Sequence, residues 1–218
     1  NPHGKILLNN QECSIDQHLD LKQAIRASLL CNDAELKPIE DDEYKLEGNP
    51  IDGALLALGI KANLDLDFEK KNQPHTDFIP FESEHKFMAS LHHDHTGKGY
   101  IYIKGAPEQI LEICQYQLNG NENTPLDISY WHTQIHTLAS KGKRLVAAAM
   151  CEANPDQQTL NFSDISKKFT LLGLFALIDP PREESIEAIE KCRQAGISVK
   201  MITGDHAVTA CTIGKQIG

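Results

Sequence analysis

Apolar positions recur at helical spacing from His18 to Leu30 and again after Gly48-Asn49-Pro50, where Ala54, Leu55 and Leu58 follow a proline suited to a first helical turn. Two helices are predicted there. From Phe78 to Leu91 the pattern turns β-like, and Tyr100 to Lys104 is rich in residues that suit a sheet, so these runs are expected to pair as a hairpin. Pro107 opens a helix carrying Ile110, Leu111 and Cys114; Ile128 to Ala139 reads as another, and Arg144 to Met150 and Phe169 to Ile178 return to strand. Asp179-Pro180-Pro181-Arg182 then interrupts the ladder, because neither proline can donate a hydrogen bond. Beyond it come a helix from Glu183 to Ala195, a strand from Ile197 to Ile202, a Thr-Gly-Asp turn and a helix from Ala207 to Ile217. That order indicates part of a parallel α/β sheet, and the prolines place a domain boundary between 1–178 and 179–218.

The chain's 218 residues suffice for one large domain or two smaller ones. No apolar run reaches the eighteen or so residues of a membrane span. The beginning lacks an apolar signal core and the end breaks off after an amphipathic segment, so both read as cut points in a longer protein. A formal net charge of −10 argues against nonspecific binding to nucleic acid or anionic lipid. Glu40-Asp41-Asp42-Glu43 reads as a solvated acidic loop. The six cysteines show no Cys-x-x-Cys pair and read as reduced thiols of a cytosolic protein. His92-His93-Asp94-His95 resembles a metal site, yet its position before Thr96-Gly97-Lys98-Gly99 favours an exposed hairpin loop.

Three clusters carry candidate chemistry. Lys104-Gly105-Ala106-Pro107-Glu108 puts a cation at a strand end, a glycine that permits close approach, and a proline at a helix start, a combination suited to phosphate. Phe81, with Lys86 five residues on, offers an aromatic face beside a cation, as a purine with a phosphate tail would use; taken alone, Phe81 reads first as a core residue. Thr203-Gly204-Asp205 lies at the carboxyl end of the predicted parallel strand, where α/β sheets hold ligands, and Asp205 is also a natural helix cap.

Taken in order, Phe81, Lys86, Lys104-Gly-Ala-Pro-Glu108, Asp179-Pro-Pro-Arg182 and Thr203-Gly-Asp205 resemble the P-type ATPases, in particular their calcium-pump-like branch, over almost the whole chain. The resemblance implies an α+β nucleotide-binding domain with a central antiparallel sheet, followed by part of a haloacid-dehalogenase-like phosphorylation domain. It further implies that Phe81 stacks on adenine, that Lys86, Lys104 and Gly105 line the nucleotide pocket, and that Asp52 approaches the adenine edge. Arg144 would reach the phosphates and Arg182 would lie near the nucleotide. Thr203 would contact the transferred phosphoryl group, and Asp205 the phosphate and magnesium region. ATP with Mg2+ is the implied ligand, and the phosphorylation, actuator and transmembrane domains of the same protein are the implied partners, on the cytoplasmic side of a membrane. Selectivity for the ion would reside in transmembrane residues.

Two family motifs are absent: Asp-Lys-Thr-Gly-Thr, whose aspartate accepts the phosphoryl group, and Gly-Asp-Gly-x-Asn-Asp, which holds magnesium. Glu82, Glu84 and His85 also stand where family members often carry basic residues. A soluble haloacid-dehalogenase-type phosphatase is an alternative; it needs an Asp-x-Asp strand, and the nearest match is Asp65-Leu66-Asp67. A nonenzymatic nucleotide-sensing module is another, distinguished by what flanks this stretch in the gene.

Overall fold

The structure, a computed structural model, describes residues 4–39, 44–166, 168–178, 183–203 and 207–218. Two compact units emerge: Asn1–Leu126 with Val146–Leu174, and Asp127–Leu145 with Phe175–Gly218.

The first unit opens with a short hairpin, β1 (Leu7–Leu8) and β2 (Gln11–Glu12), turned by Asn9 and Asn10, both at positive φ. Helix α1 (Leu19–Leu30) follows, then a hairpin of β3 (Glu35–Pro38) and β4 (Tyr44–Glu47), then α2 (Pro50–Lys61) and α3 (Leu66–Asn72). Asn49 starts α2 by accepting from Ile51 N at 2.9 Å, with Pro50 in the first position. Helix α1 packs on α2, where a Cβ on Gly59 would come within 2.5 Å of Leu29 Cδ2. The absence of a side chain at Gly59 is what lets the helices meet. The guanidinium of Arg26 on α1 grips Glu69 on α3 through Nε at 2.7 Å and Nη2 at 3.2 Å. Asp65 caps α3 by accepting from Phe68 N at 3.0 Å, so the nearest Asp-x-Asp match is a helix start rather than a nucleophile-bearing strand.

These helices accompany a seven-stranded sheet built from β5 (His75–Ile79), β6 (Phe87–His93), β7 (Gly99–Gly105), β8 (Cys114–Asn119), β9 (Glu122–Pro125), β10 (Arg144–Ala153) and β11 (Phe169–Leu177), in the order β5-β6-β7-β10-β11-β8-β9. Pairing is antiparallel from β5 through β10 and between β8 and β9, and parallel between β11 and β8. The α/β architecture with a central, mostly antiparallel sheet is the one expected from the sequence. Between β7 and β8 lies α4 (Pro107–Ile113). Ile25, Leu29, Leu55, Leu91, Ile101, Ile103, Ile110 and Phe169 are fully buried and form the centre of this unit's core.

Several expectations need correction. The run from Phe78 to Leu91 is two strands, β5 and β6, because residues 80–86 form a turn closed by Lys86 N donating to Glu82 O at 2.8 Å. The histidine cluster is not all loop: β6 extends to His93, and His92 is buried because both of its ring nitrogens find partners inside. Nδ1 donates to Gln73 O at 2.9 Å and Nε2 accepts from Ser90 Oγ at 2.9 Å. The turn is Asp94 to Lys98, where the Asp94 carboxylate accepts from Thr96 N, Thr96 Oγ1 and Lys98 N. All six cysteines are free. Burial raises the thiols of Cys31 and Cys151 to about 11 and that of Cys114 to about 12, which keeps them protonated. The acidic stretch Glu40 to Glu43 lies outside the described residues.

The second unit contains α5 (Ile128–Ala139), α6 (Glu183–Gln194) and α7 (Ala207–Gln216). Asp127 caps α5 by accepting from Tyr130 N at 2.9 Å. Helices α5 and α7 are in contact, and Thr212 Oγ1 donates to Ser140 O at 3.3 Å. The expected strand from Ile197 to Ile202 is not formed. Ile197, Val199, Met201 and Ile202 are exposed, Ile202 at 98%. A strand is defined by its ladder, and among the described residues none pairs with this run.

Candidate functional site

The ends of β6 and β7 bring two of the candidate motifs together. Phe87, the first residue of β6, stands opposite Gly105, the last of β7. A Cβ on Gly105 would lie 2.4 Å from the Lys86 carbonyl oxygen and 2.6 Å from Phe87 Cα, so only glycine fits. The approach is used: Ala106 N donates to Lys86 O at 2.9 Å. Lys86 itself adopts φ +58°, which ends the turn and starts the strand. The Lys104-Gly105-Ala106 and Phe81-to-Lys86 motifs are therefore one backbone assembly.

Phe81 sits at the head of that turn with 52% of its surface exposed, which excludes the reading of it as a core residue. Both neighbouring carbonyls are held. His85 Nε2 donates to Pro80 O at 3.0 Å, and Lys86 N donates to Glu82 O. The Lys86 side chain is exposed. An aromatic ring with an open face on a closed turn, and a cation five residues away, can accept a planar base and an anionic tail.

Lys104 is different, being only 4% exposed. Its Nζ donates to Asp52 Oδ1 at 2.6 Å, joining β7 to the first turn of α2. Burial raises the Asp52 carboxyl above its ordinary range against the opposing pull of the Lys104 charge, and the neighbouring Asp33 adds to the rise. Asn32, which the sequence reading missed, holds this end of α2: its Nδ2 donates to Asp52 O at 3.1 Å and to Ser28 O at 3.2 Å, while its Oδ1 accepts from Ala34 N at 3.0 Å. The available signal was the polar pair Asn32-Asp33 directly after a helix that ends in apolar residues.

The remaining candidates belong elsewhere. Arg144 begins β10, is half-buried, and falls in the second unit, as does the exposed Thr203. Arg182 and Asp205 lie outside the described residues, as do Asp179 to Pro181 and Gly204. Among the described residues no three His, Cys, Asp or Glu side chains stand together in a way that could hold a metal ion, and no helix is long and apolar enough to cross a membrane.

Residues 20–184 match the family described as P-type ATPase, cytoplasmic domain N. A cation-transporting ATPase of Synechocystis is 38% identical over 199 residues, which are 91% of this chain and 22% of that protein. A calcium-transporting ATPase of Bacillus subtilis is 34% identical over 99% of this chain and 24% of its own length. The sodium/potassium-transporting ATPase subunit alpha of Hydra vulgaris is 34% identical over 92% of this chain and 21% of its own. The chain thus spans under a quarter of the length of these relatives. With three-quarters of its residues matched by that family, the chain belongs to the P-type ATPases, and residues 20–184 correspond to their cytoplasmic domain N.

Proposed function

We propose that this chain binds ATP on behalf of a P-type cation-transporting ATPase, which passes the γ-phosphoryl group to an aspartate and uses that aspartyl phosphate to drive a cation across a membrane. The observation that carries the reading is the backbone junction of Lys86 with Gly105 and Ala106, beside which Phe81 keeps an open ring face. In this reading Phe81 stacks on adenine, Lys86 meets the phosphates, and the turn at Gly105 lets the nucleotide pass close to the backbone. Asp52 and Lys104 form the wall of the pocket, with Asp52 toward the adenine edge. Arg144 and Arg182 complete the phosphate contacts, and Thr203 and Asp205 serve the transferred group.

The residues 1–178 are proposed as the nucleotide domain and 179–218 as the start of the phosphorylation domain. The actuator and transmembrane domains of the longer protein are the partners, and the chain works at the cytoplasmic face. Magnesium neutralises phosphate charge when bound with ATP; its protein ligands are proposed to lie outside this chain, whose sequence lacks Gly-Asp-Gly-x-Asn-Asp. Positioning is the domain's contribution to the reaction.

The test is an ATP titration of the 218-residue chain and its Phe81→Ala variant. A loss of about 1 to 3 kcal/mol of binding is expected, the range for one base stacked on an aromatic ring, with an unchanged fold. Labelled ATP should leave no acid-stable label on the protein, since the Asp-Lys-Thr-Gly-Thr nucleophile motif is absent. Unchanged affinity in the variant, or a covalent phosphate on the chain, would refute the proposal.

A further inference from the structure

We propose that His85 is a positioning residue, latched by Phe162, that presents Phe81 to the base; the inference rests on the nucleotide reading above. The His85 ring is held on two sides. Its centroid lies 4.5 Å from that of Phe87, tilted by 57°, and 5.1 Å from that of Phe162, edge-on at 78°. From that seat Nε2 reaches the carbonyl of Pro80, the residue immediately before Phe81. The aromatic contacts fix the ring plane, and the ring plane fixes the direction of the N–H.

Phe162 brings the latch from far along the chain. It opens a single 3-10 turn, Phe162–Asp164, and is itself 58% exposed. The two residues before the turn are both anchored: Leu160 N donates to Asp77 Oδ2 on β5 at 2.8 Å, and Asn161 N donates to Asp164 Oδ2 at 2.8 Å in a reciprocal capping box. An exposed phenylalanine on a pinned turn needs a reason to stay ordered, and His85 with Phe87 supplies it. The chain Asp77, Phe162, His85, Pro80 thus sets the attitude of the turn that carries Phe81.

The claim separates from direct phosphate contact by choice of ligand. ATP and uncharged adenosine are titrated into the full chain and into His85→Ala, Phe162→Ala, Phe81→Ala and the Phe81→Ala/His85→Ala double variant, each checked by thermal unfolding. His85→Ala and Phe162→Ala are expected to weaken ATP and adenosine by the same factor, about three- to tenfold, while the double variant binds no worse than Phe81→Ala. Loss of ATP affinity alone would make His85 a phosphate contact and overturn the inference. So would additive losses in the double variant, or wild-type affinity in both single variants. If His85→Ala fails to fold, Phe162→Ala with the two ligands decides the matter by the same criteria. If Phe81→Ala leaves binding intact, the nucleotide reading itself falls, and that result is distinct from the others.

Discussion

Lys104 Nζ meets Asp52 Oδ1 at 2.6 Å with both side chains almost wholly buried, so a desolvated ion pair ties the end of a strand to the start of a helix. Such a pair contributes little net stability but is costly to break on one side, because the surviving charge stays buried without its partner. Asp52→Ala is expected to lower unfolding stability by about 3 to 5 kcal/mol. Replacing both residues, as Asp52→Leu with Lys104→Met, should recover most of that loss. Urea unfolding of the three variants checks this, and an Asp52→Ala variant as stable as the parent would show that the pair is not desolvated.

Gly105 tests the junction itself. A methyl group there would collide with backbone rather than with a movable side chain, so Gly105→Ala should cost about 1 to 3 kcal/mol of stability through overpacking. It should also break the Ala106–Lys86 hydrogen bond and weaken ATP binding even though alanine adds no charge. Amide exchange at Ala106 reads the first effect and a nucleotide titration the second.

His92 makes stability depend on pH. Burial lowers its pKa from 6.5 to about 4, so between these values the unfolded chain takes up a proton that the folded chain refuses. Its contribution is fully present above about pH 6.5 and is lost as pH falls toward 4, a total of roughly 3 kcal/mol at 1.36 kcal/mol per unit. Urea midpoints at pH 7 and pH 4.5 should therefore diverge more in the parent than in His92→Asn. Equal divergence would mean that His92 accepts its proton without leaving the fold.

Helices α1, α2, α4 and α5 and strands β10 and β11 were legible because each announces itself locally, by a cap such as Asn49, a proline such as Pro50 or Pro107, or a continuous apolar run. The hairpin of β8 and β9 was not read, since Gln115, Tyr116 and Glu122 are exposed and its strands carry little alternation; the turn Gly120-Asn121, with Gly120 at φ +61°, was the signal available. Polarity misled at His92, whose partners Gln73 and Ser90 could not be foreseen from spacing. The reverse held for Ile197 to Ile202, where β-forming residues lack a neighbouring strand among the described residues. At the site, sequence supplied Phe81, Lys86 and Gly105, but the coupling of the two motifs through the Lys86 carbonyl is a tertiary fact. No local pattern encodes it.

The central claim is that an adenine nucleotide binds at this junction, and amide chemical-shift mapping during an ATP titration tests it most directly. The account predicts saturable shifts centred on Phe81, Glu82, Lys86, Gly105 and Ala106, lost in Phe81→Ala, with the β1–β2 hairpin at Leu7 to Glu12 unmoved. Saturable shifts centred elsewhere, or none at millimolar ATP, would contradict it.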